Sequence, residues 1–191
     1  MIKKLFLILC ALVLCSSSYA GNIKDIKKVI ARKNAGCTIP VTADITFEDT
    51  NVTNTLVTGA AEGQEFNSGA GGKLAQICVN INDAGDDGTI SLRIDSDSDL
   101  SDGNGFIEDL GTSATISSSG WVCFPSVTNP VLTSDTIYII AVMENSGDLK
   151  WYADSTYGYT AGAVYDGTTG WTLGTRYVNY QDETFRVYYC D

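Results

Sequence analysis

From Cys37 onward the chain is a succession of short apolar runs, rich in Val, Ile, Thr and aromatic residues, separated by clusters of Gly, Asp, Asn and Ser. This is the punctuation of strands and turns, and no stretch of it has the length and 3.6-residue period of a long helix. Strands are predicted near 41–48, 54–58, 73–82, 88–95, 105–109, 112–117, 120–125, 136–144, 149–153, 162–165 and 183–190. Several alternate with period two, so that Phe185, Val187 and Tyr189 form one face of the last strand and Ile77, Val79 and Ile81 one face of an earlier one. The run TIYIIAVM is apolar on both faces, which suits a strand in the middle of a sandwich. Trp151 is expected to face inward from its strand. No repeat of fixed period is present, which argues against a propeller or solenoid. The expected fold is therefore all-β, a two-sheet antiparallel sandwich.

The first 36 residues follow other patterns. Residues 1–20, MIKKLFLILCALVLCSSSYA, have a basic start, an apolar run from Leu5 to Leu14 and small residues before Ala20. This reads as a signal peptide, the apolar run being too short for a membrane span. Cys15 invites a lipoprotein-type cut, but Leu14 stands where a small residue is wanted. Residues 21–36 place Ile23, Ile26, Val29 and Ile30 at helical spacing among Lys24, Lys27, Lys28, Arg32 and Lys33, a short basic amphipathic arm. A helix so short is marginal alone and needs a surface: its own domain, a neighbouring subunit or an anionic layer. A frayed arm and a removed propeptide are the other readings. No other stretch is apolar for long enough to cross a bilayer, so residues 37–191 are expected to be a secreted or cell-surface domain.

Export changes what the cysteines mean. Without Cys10 and Cys15 there remain Cys37, Cys78, Cys123 and Cys190, an even number for an oxidising compartment. Of three possible connectivities, strand parity favours one. Cys78 lies opposite the face of Ile77 and Val79, and Cys123 opposite that of Val122 and Phe124, so these two can bridge neighbouring strands. Cys37 and Cys190 are then left to clasp the start and end of the domain. No C-x-x-C spacing supports a redox role.

Charge and composition narrow the chemistry further. The body from Cys37 onward holds only Lys73, Arg93, Lys150, Arg176 and Arg186 against 22 acidic residues. Such a surface repels nucleic acid and attracts cations. The chain has no histidine, which removes imidazole bases, His-based triads and histidine metal ligands together. No glycine-rich phosphate loop opens a helix. An enzyme here would have to work with carboxylates, and with so many of them chance pairs are inevitable. The expectation is a protein that is not an enzyme.

Two stretches nevertheless concentrate functional side chains. In RIDSDSDLSDGNGFIED, residues 93–109, the carboxylates of Asp95, Asp97, Asp99, Asp102 and Glu108 are candidate calcium ligands, with Asp109 beside them. An EF-hand counted from Asp97 fails, because Asp102 occupies the position that needs glycine and the preceding segment is strand-like. A looser calcium loop on a sandwich, or a solvated polar connection, fits better. A second acidic turn, NDAGDDG, adds Asp83, Asp86 and Asp87. The other stretch gathers Trp151, Tyr152, Tyr157, Tyr159, Tyr165, Trp171, Tyr177 and Tyr180. Aromatic faces with polar neighbours suit a sugar ring, whose C–H face stacks and whose hydroxyls take hydrogen bonds. Tyr157, Tyr159 and Trp171, beside Gly-rich turns, are the candidate ligand-binding residues.

The order GGKLAQICVNIND, TISLRIDSDSDLSDGNGFIEDLG, SGWVCFPSV, SDTIYIIAVM, YGYTAGAVYDGTTGW and ETFRVYYC resembles the exported jelly-roll modules of bacterial surface and phage-associated proteins. Many of these are similar to carbohydrate-binding modules and lectin-like sandwiches. The resemblance covers roughly residues 45–190 and is one of strands and turns, not of catalytic residues. It implies a jelly-roll sandwich for recognition or adhesion, with an extracellular glycan or surface ligand as partner. The arm and the four cysteines are not part of that pattern. Their charge asymmetry supports the alternative, a structural subunit of an extracellular filament in which the basic arm docks on the acidic body of the next copy.

Overall fold

The computed structural model describes residues 37–97, 105–156, 159, 162–167, 169–177 and 181–191. The signal peptide and the arm, with Lys24, Lys27, Lys28, Arg32 and Lys33, lie outside the described residues, as do Asp99, Asp102 and Tyr157. Every element among the described residues is a strand: β1 (Ile45–Phe47), β2 (Val52–Thr55), β3 (Ala61–Asn67), β4 (Gly72–Asp83), β5 (Thr89–Asp95), β6 (Phe106–Thr112) and β7 (Gly120–Pro125) come first. The second half supplies β8 (Val131–Leu132), β9 (Ile137–Ser146), β10 (Leu149–Asp154), β11 (Val164–Gly167), β12 (Leu173–Tyr177), β13 (Asp182–Glu183) and β14 (Phe185–Tyr189). All strand pairings are antiparallel.

The strands form two sheets. One runs β1-β14-β4-β10-β13, with β7 and β8 also paired to β4 and β2 to β10; the other runs β12-β11-β3-β9-β5-β6. Their facing sides meet in one core to which the first sheet gives Ile77, Val79, Ile81, Trp151, Phe185 and Val187, and the second Phe66, Ile90, Ile94, Ile140 and Val142. On β4 and β14 the inward set is the one alternation predicts, since successive side chains point to opposite faces. Trp151 is fully buried, and its indole N–H donates to the Thr184 carbonyl at 2.8 Å.

Both outer faces are partly covered as well. On the second sheet, β9 sends Tyr138, Ile140 and Val142 inward and Ile139, Ala141 and Met143 outward, so the doubly apolar TIYIIAVM is indeed a central strand with cover on both sides. Leu173 and Trp171 lie over that outer surface, where Ala61, Gly63 and Ala141 are small enough to admit them. On the first sheet, Cys78 stands directly opposite Cys123 with Cα atoms 4.0 Å apart and is disulfide-bonded to it, and a second disulfide joins Cys37 to Cys190. These are the pairs that parity favours. The partners differ in exposure: Cys78 is buried with Ala75 and Tyr188 in a small outer cluster with Trp121, Ala43, Cys37 and Cys190 packed against it, whereas Cys123 on β7 is exposed. The cover makes the Cys78 position apolar, which suits a half-cystine.

Three strands have no counterpart in the apolar pattern: β3, β8 and β12. The expected strand at 112–117 is absent: Thr112 ends β6, and beyond it Ile116 contributes an isolated bridge to Gly88. What replaces it is a single bulged strand, β6, with Gly111 at φ +90 behind the Asp109 side chain, which accepts the Gly111 N–H at 2.9 Å.

Gly63 offers a direct test of the covered outer face. A Cβ there would come within 2.8 Å of Leu173 Cδ1 and 3.2 Å of Ile139 Cγ2. Gly63→Val is expected to destabilise the protein by about 1–3 kcal/mol, seen as a lower thermal midpoint, because overpacking forces the covering segment away. An unchanged midpoint would mean that residues 169–173 do not lie on the sheet.

Candidate functional site

A concavity opens where β2 of the first sheet meets β3, β11 and β12 of the second. It has a volume of about 280 Å³ and is lined by Asn54 and Thr55 of β2, Glu62 of β3, Val164, Tyr165 and Asp166 of β11, and Tyr177 of β12. Four strands from both sheets thus contribute, and the lining mixes two carboxylates, an amide, a hydroxyl and two phenols. No Lys or Arg is among these residues.

One residue fixes the far wall. Glu65 is buried in β3, where it accepts from the Ala163 N–H at 3.1 Å, from the Tyr165 hydroxyl at 2.6 Å, and from Arg176 Nε and Nη2, both at 2.7 Å. Burial alone would raise the Glu65 carboxyl, but Arg176, Tyr165 and the Ala163 N–H together hold it below the usual range. In the same network, burial and the neighbouring Glu65 push the Tyr165 phenol up to about 12. β11 and β12 are therefore tied to β3 by a bidentate charge pair as well as by ladder bonds.

The near wall has the opposite electrostatics. Glu62 is largely withdrawn from solvent, and burial with the charge of Asp166 pushes its carboxyl up to about 7. No hydrogen bond or ion pair among the described residues engages its side chain. Asp166, more exposed, accepts from the Thr175 N–H at 2.6 Å and the Tyr177 hydroxyl at 3.0 Å. Behind Asn54 lies Glu183, fully buried. Glu183 Oε1 accepts from Asn54 Nδ2, while its Oε2 has no hydrogen-bond partner. Burial raises the Glu183 carboxyl well above its usual range, the Asn54 bond opposes this, and Glu62 and Asp182 add to it. Burial likewise raises Asp182, helped by Asp154, although the Tyr159 N–H bonded to it acts the other way. Carboxyls thus collect in this corner, and among the described residues no ion pair engages Glu62, Asp182 or Glu183.

The candidate residues are distributed differently from expectation. Tyr159 packs its ring on Phe47 and edge-on against Phe185, with centroids 5.6 and 5.3 Å apart, and its hydroxyl accepts the Asn67 N–H at 2.9 Å. Its ring is spent on the core. Trp171 sits on the outer face of the second sheet with the Arg93 guanidinium 4.1 Å above its ring, so one stacking face is already covered. The aromatic block reaches the pocket instead through Tyr165 and Tyr177. In the acidic loop, Asp95 is buried and its Oδ1 accepts from the Ser96 and Asp97 N–H groups at 2.7 and 3.1 Å. An atom at the Cβ position of Gly105 would lie 2.6 Å from Asp95 Oδ1, 2.6 Å from Asp97 Oδ2 and 2.8 Å from Ser96 Oγ, so the three oxygens converge. Glu108 is elsewhere: its carboxylate takes the Ser126 hydroxyl at 2.5 Å and the Val127 and Thr128 N–H groups at 2.8 and 2.7 Å. Among the described residues no group of three or more Cys, Asp or Glu side chains is arranged to hold a metal ion.

Glu62, Asp166, Asn54, Glu65, Arg176 and Glu183 were not singled out by sequence reasoning. The available signal was Asp166 and Tyr177 within the aromatic block and the position of Asp182-Glu183 just before an apolar alternation.

The raised carboxyls fix the sign of a pH effect. A Glu62 pKa of about 7 against an ordinary 4.5 means that the folded state holds this proton more tightly, so its contribution to stability is complete below 4.5 and is lost as pH rises through 7. Thermal midpoints are expected to fall between about pH 5 and pH 8, and Glu62→Gln should remove about 1–3 kcal/mol of that slope. A wild-type curve flat across this window would show that the Glu62 carboxyl is not perturbed. No family model matches this sequence, and no curated protein matches it either.

Proposed function

We propose that this protein is a non-enzymatic, exported recognition domain that binds carbohydrate in the pocket formed by β2, β3, β11 and β12. The observation that carries this reading is the lining itself: a concavity of about 280 Å³ with one half-open tyrosine and a ring of amide, hydroxyl and carboxylate groups. Hydroxyl-rich rings need an apolar face to stack on and several convergent acceptors, and this volume, at the small end of ligand pockets, suits a single ring at a time. The two disulfides fit an oxidising compartment, and no helix among the described residues is long and apolar enough to cross a membrane. A two-sheet antiparallel sandwich gives such a pocket a rigid frame.

Binding is favoured over turnover. A carboxylate glycosidase needs two carboxyls free to act on either side of the scissile bond. Here Asp166 has both oxygens bonded within the chain, leaving Glu62 as the carboxylate of the lining without a donor. Calcium enters this reading as a stabiliser of the turn where Asp95, Ser96 and Asp97 oxygens converge on Gly105. On that basis millimolar calcium raises the thermal midpoint and Asp97→Ala removes the rise; equal midpoints with and without the ion would dismiss it.

The structural-subunit reading rests on charge: five basic residues against 22 acidic ones in the body, and a basic arm ahead of it. It requires arm-dependent polymers, which light scattering with and without residues 21–36 detects. For the carbohydrate reading, Tyr177→Ala should weaken glycan binding about tenfold, the loss of one stacking partner, with little change in midpoint. Unaltered binding by this variant would place the site elsewhere.

A further inference from the structure

Glu62 and Glu183 present an unsolved problem of hydrogen bonding. One is partly buried in the pocket wall, with no donor on its carboxylate among the described residues; the other lies fully buried behind Asn54, with Oε2 unpartnered. A buried acceptor without a donor is costly, which applies to Glu183, whereas Glu62 takes its partner from whatever fills the pocket. Arg176 on β12, whose neighbour Tyr177 lines the pocket, is already committed to Glu65 through two bonds of 2.7 Å. The groups that face Glu62 are Asn54 and Thr55 from β2, Asp166 from β11 and Tyr177 from β12, with Glu183 of β13 behind them: donors that are weak or engaged, and negative charges.

Resting on the carbohydrate reading above, we propose that the pocket selects sugars bearing a free primary amine, with Glu62 as the residue that receives the ammonium group. A neutral hydroxyl would supply a hydrogen bond but leave the carboxylate charges of this corner uncompensated, whereas an ammonium supplies up to three donors and the missing positive charge together. Acidic sugars meet Glu62 and Asp166 with like charge and are refused. An acetylated amine keeps the shape but loses both the charge and two of its N–H donors, so deacetylation becomes the feature read by the site. Tyr177 contributes stacking to either form and does not discriminate between them.

The experiment is calorimetric titration of the purified full chain, near neutral pH, with a glucosamine oligomer, its N-acetylated counterpart, an oligogalacturonate and a lysine-rich peptide. The glucosamine oligomer is expected to bind at least about tenfold more tightly than the acetylated one, and the oligogalacturonate not at all. Glu62→Gln should erase that preference while keeping or raising the thermal midpoint, since it removes a partly buried carboxylate that meets the like charge of Asp166; lost preference in a well-folded variant is then a recognition effect. Tyr177→Ala should weaken both amino-sugar oligomers by the same factor. Equal binding of amine and acetamide, or a preference that survives Glu62→Gln, overturns this inference and leaves the carbohydrate reading standing. Binding of none of the sugars overturns both. Binding of the lysine-rich peptide as tightly as the glucosamine oligomer overturns the sugar assignment in favour of lysine side chains.

Discussion

The arrangement of the pocket lined by β2, β3, β11 and β12 turns on the carboxylate of Glu65. It is buried in the middle of β3 and takes donors from Ala163, Tyr165 and Arg176, all brought from a segment about a hundred residues later in the chain. Such a carboxylate is tolerable only while its donors stay in place, because removing one leaves a buried charge uncompensated. The β11–β12 hairpin is thereby held to β3 more firmly than its short ladders would manage, and with it Asp166 and Tyr177 are set opposite Asn54. Arg176 is half exposed at its own end, so the pair is screened by solvent on one side and satisfied on the other.

A few residues away the same strand does the reverse. Glu62 has no counterpart to Arg176, and the carboxyls of Glu183 and Asp182 are raised beside it. One strand therefore carries two glutamates of like chemistry in different surroundings: Glu65, held below the usual range and saturated with donors, and Glu62, pushed up to about 7 and short of them. The first is structural by virtue of its partners. The second is available by virtue of lacking them.

Much of the fold was legible because β-sheet parity is a strong rule. Alternation places Ile77, Val79, Ile81, Phe185, Val187 and Tyr189 inward, and the same rule puts Cys78 across from Cys123. The rule fails for β3, whose AEGQEFN shows no alternation because its inner positions include Gln64 and its outer ones had to be small to admit Leu173. That strand carries both Glu62 and Glu65, so the pocket was hidden by the polarity that makes it a pocket; breaks in local consistency gather where function or strain does. The acidic loop shows a limit of sequence spacing: on β6 adjacent residues face opposite sides, so Glu108 turns inward to the Ser126–Asn129 turn and Asp109 outward to Arg93. Nearness along a strand is not nearness in space. The aromatic block was read correctly as a concentration of rings, yet which ring faces a ligand depends on neighbours such as Phe185 and Arg93 that no local pattern reveals.

The Cys37–Cys190 disulfide closes a loop with a sequence separation of 153, nearly the whole described body. Its consequence is mechanical. Tension that enters the body at residue 37 and leaves at residue 191 crosses from one end to the other through a single covalent link, without loading a strand pairing on the way. A domain anchored on one side and pulled on the other would keep its pocket intact under forces that peel apart ordinary sheets, and reduction of that one bond would place the same load on β1 and β14.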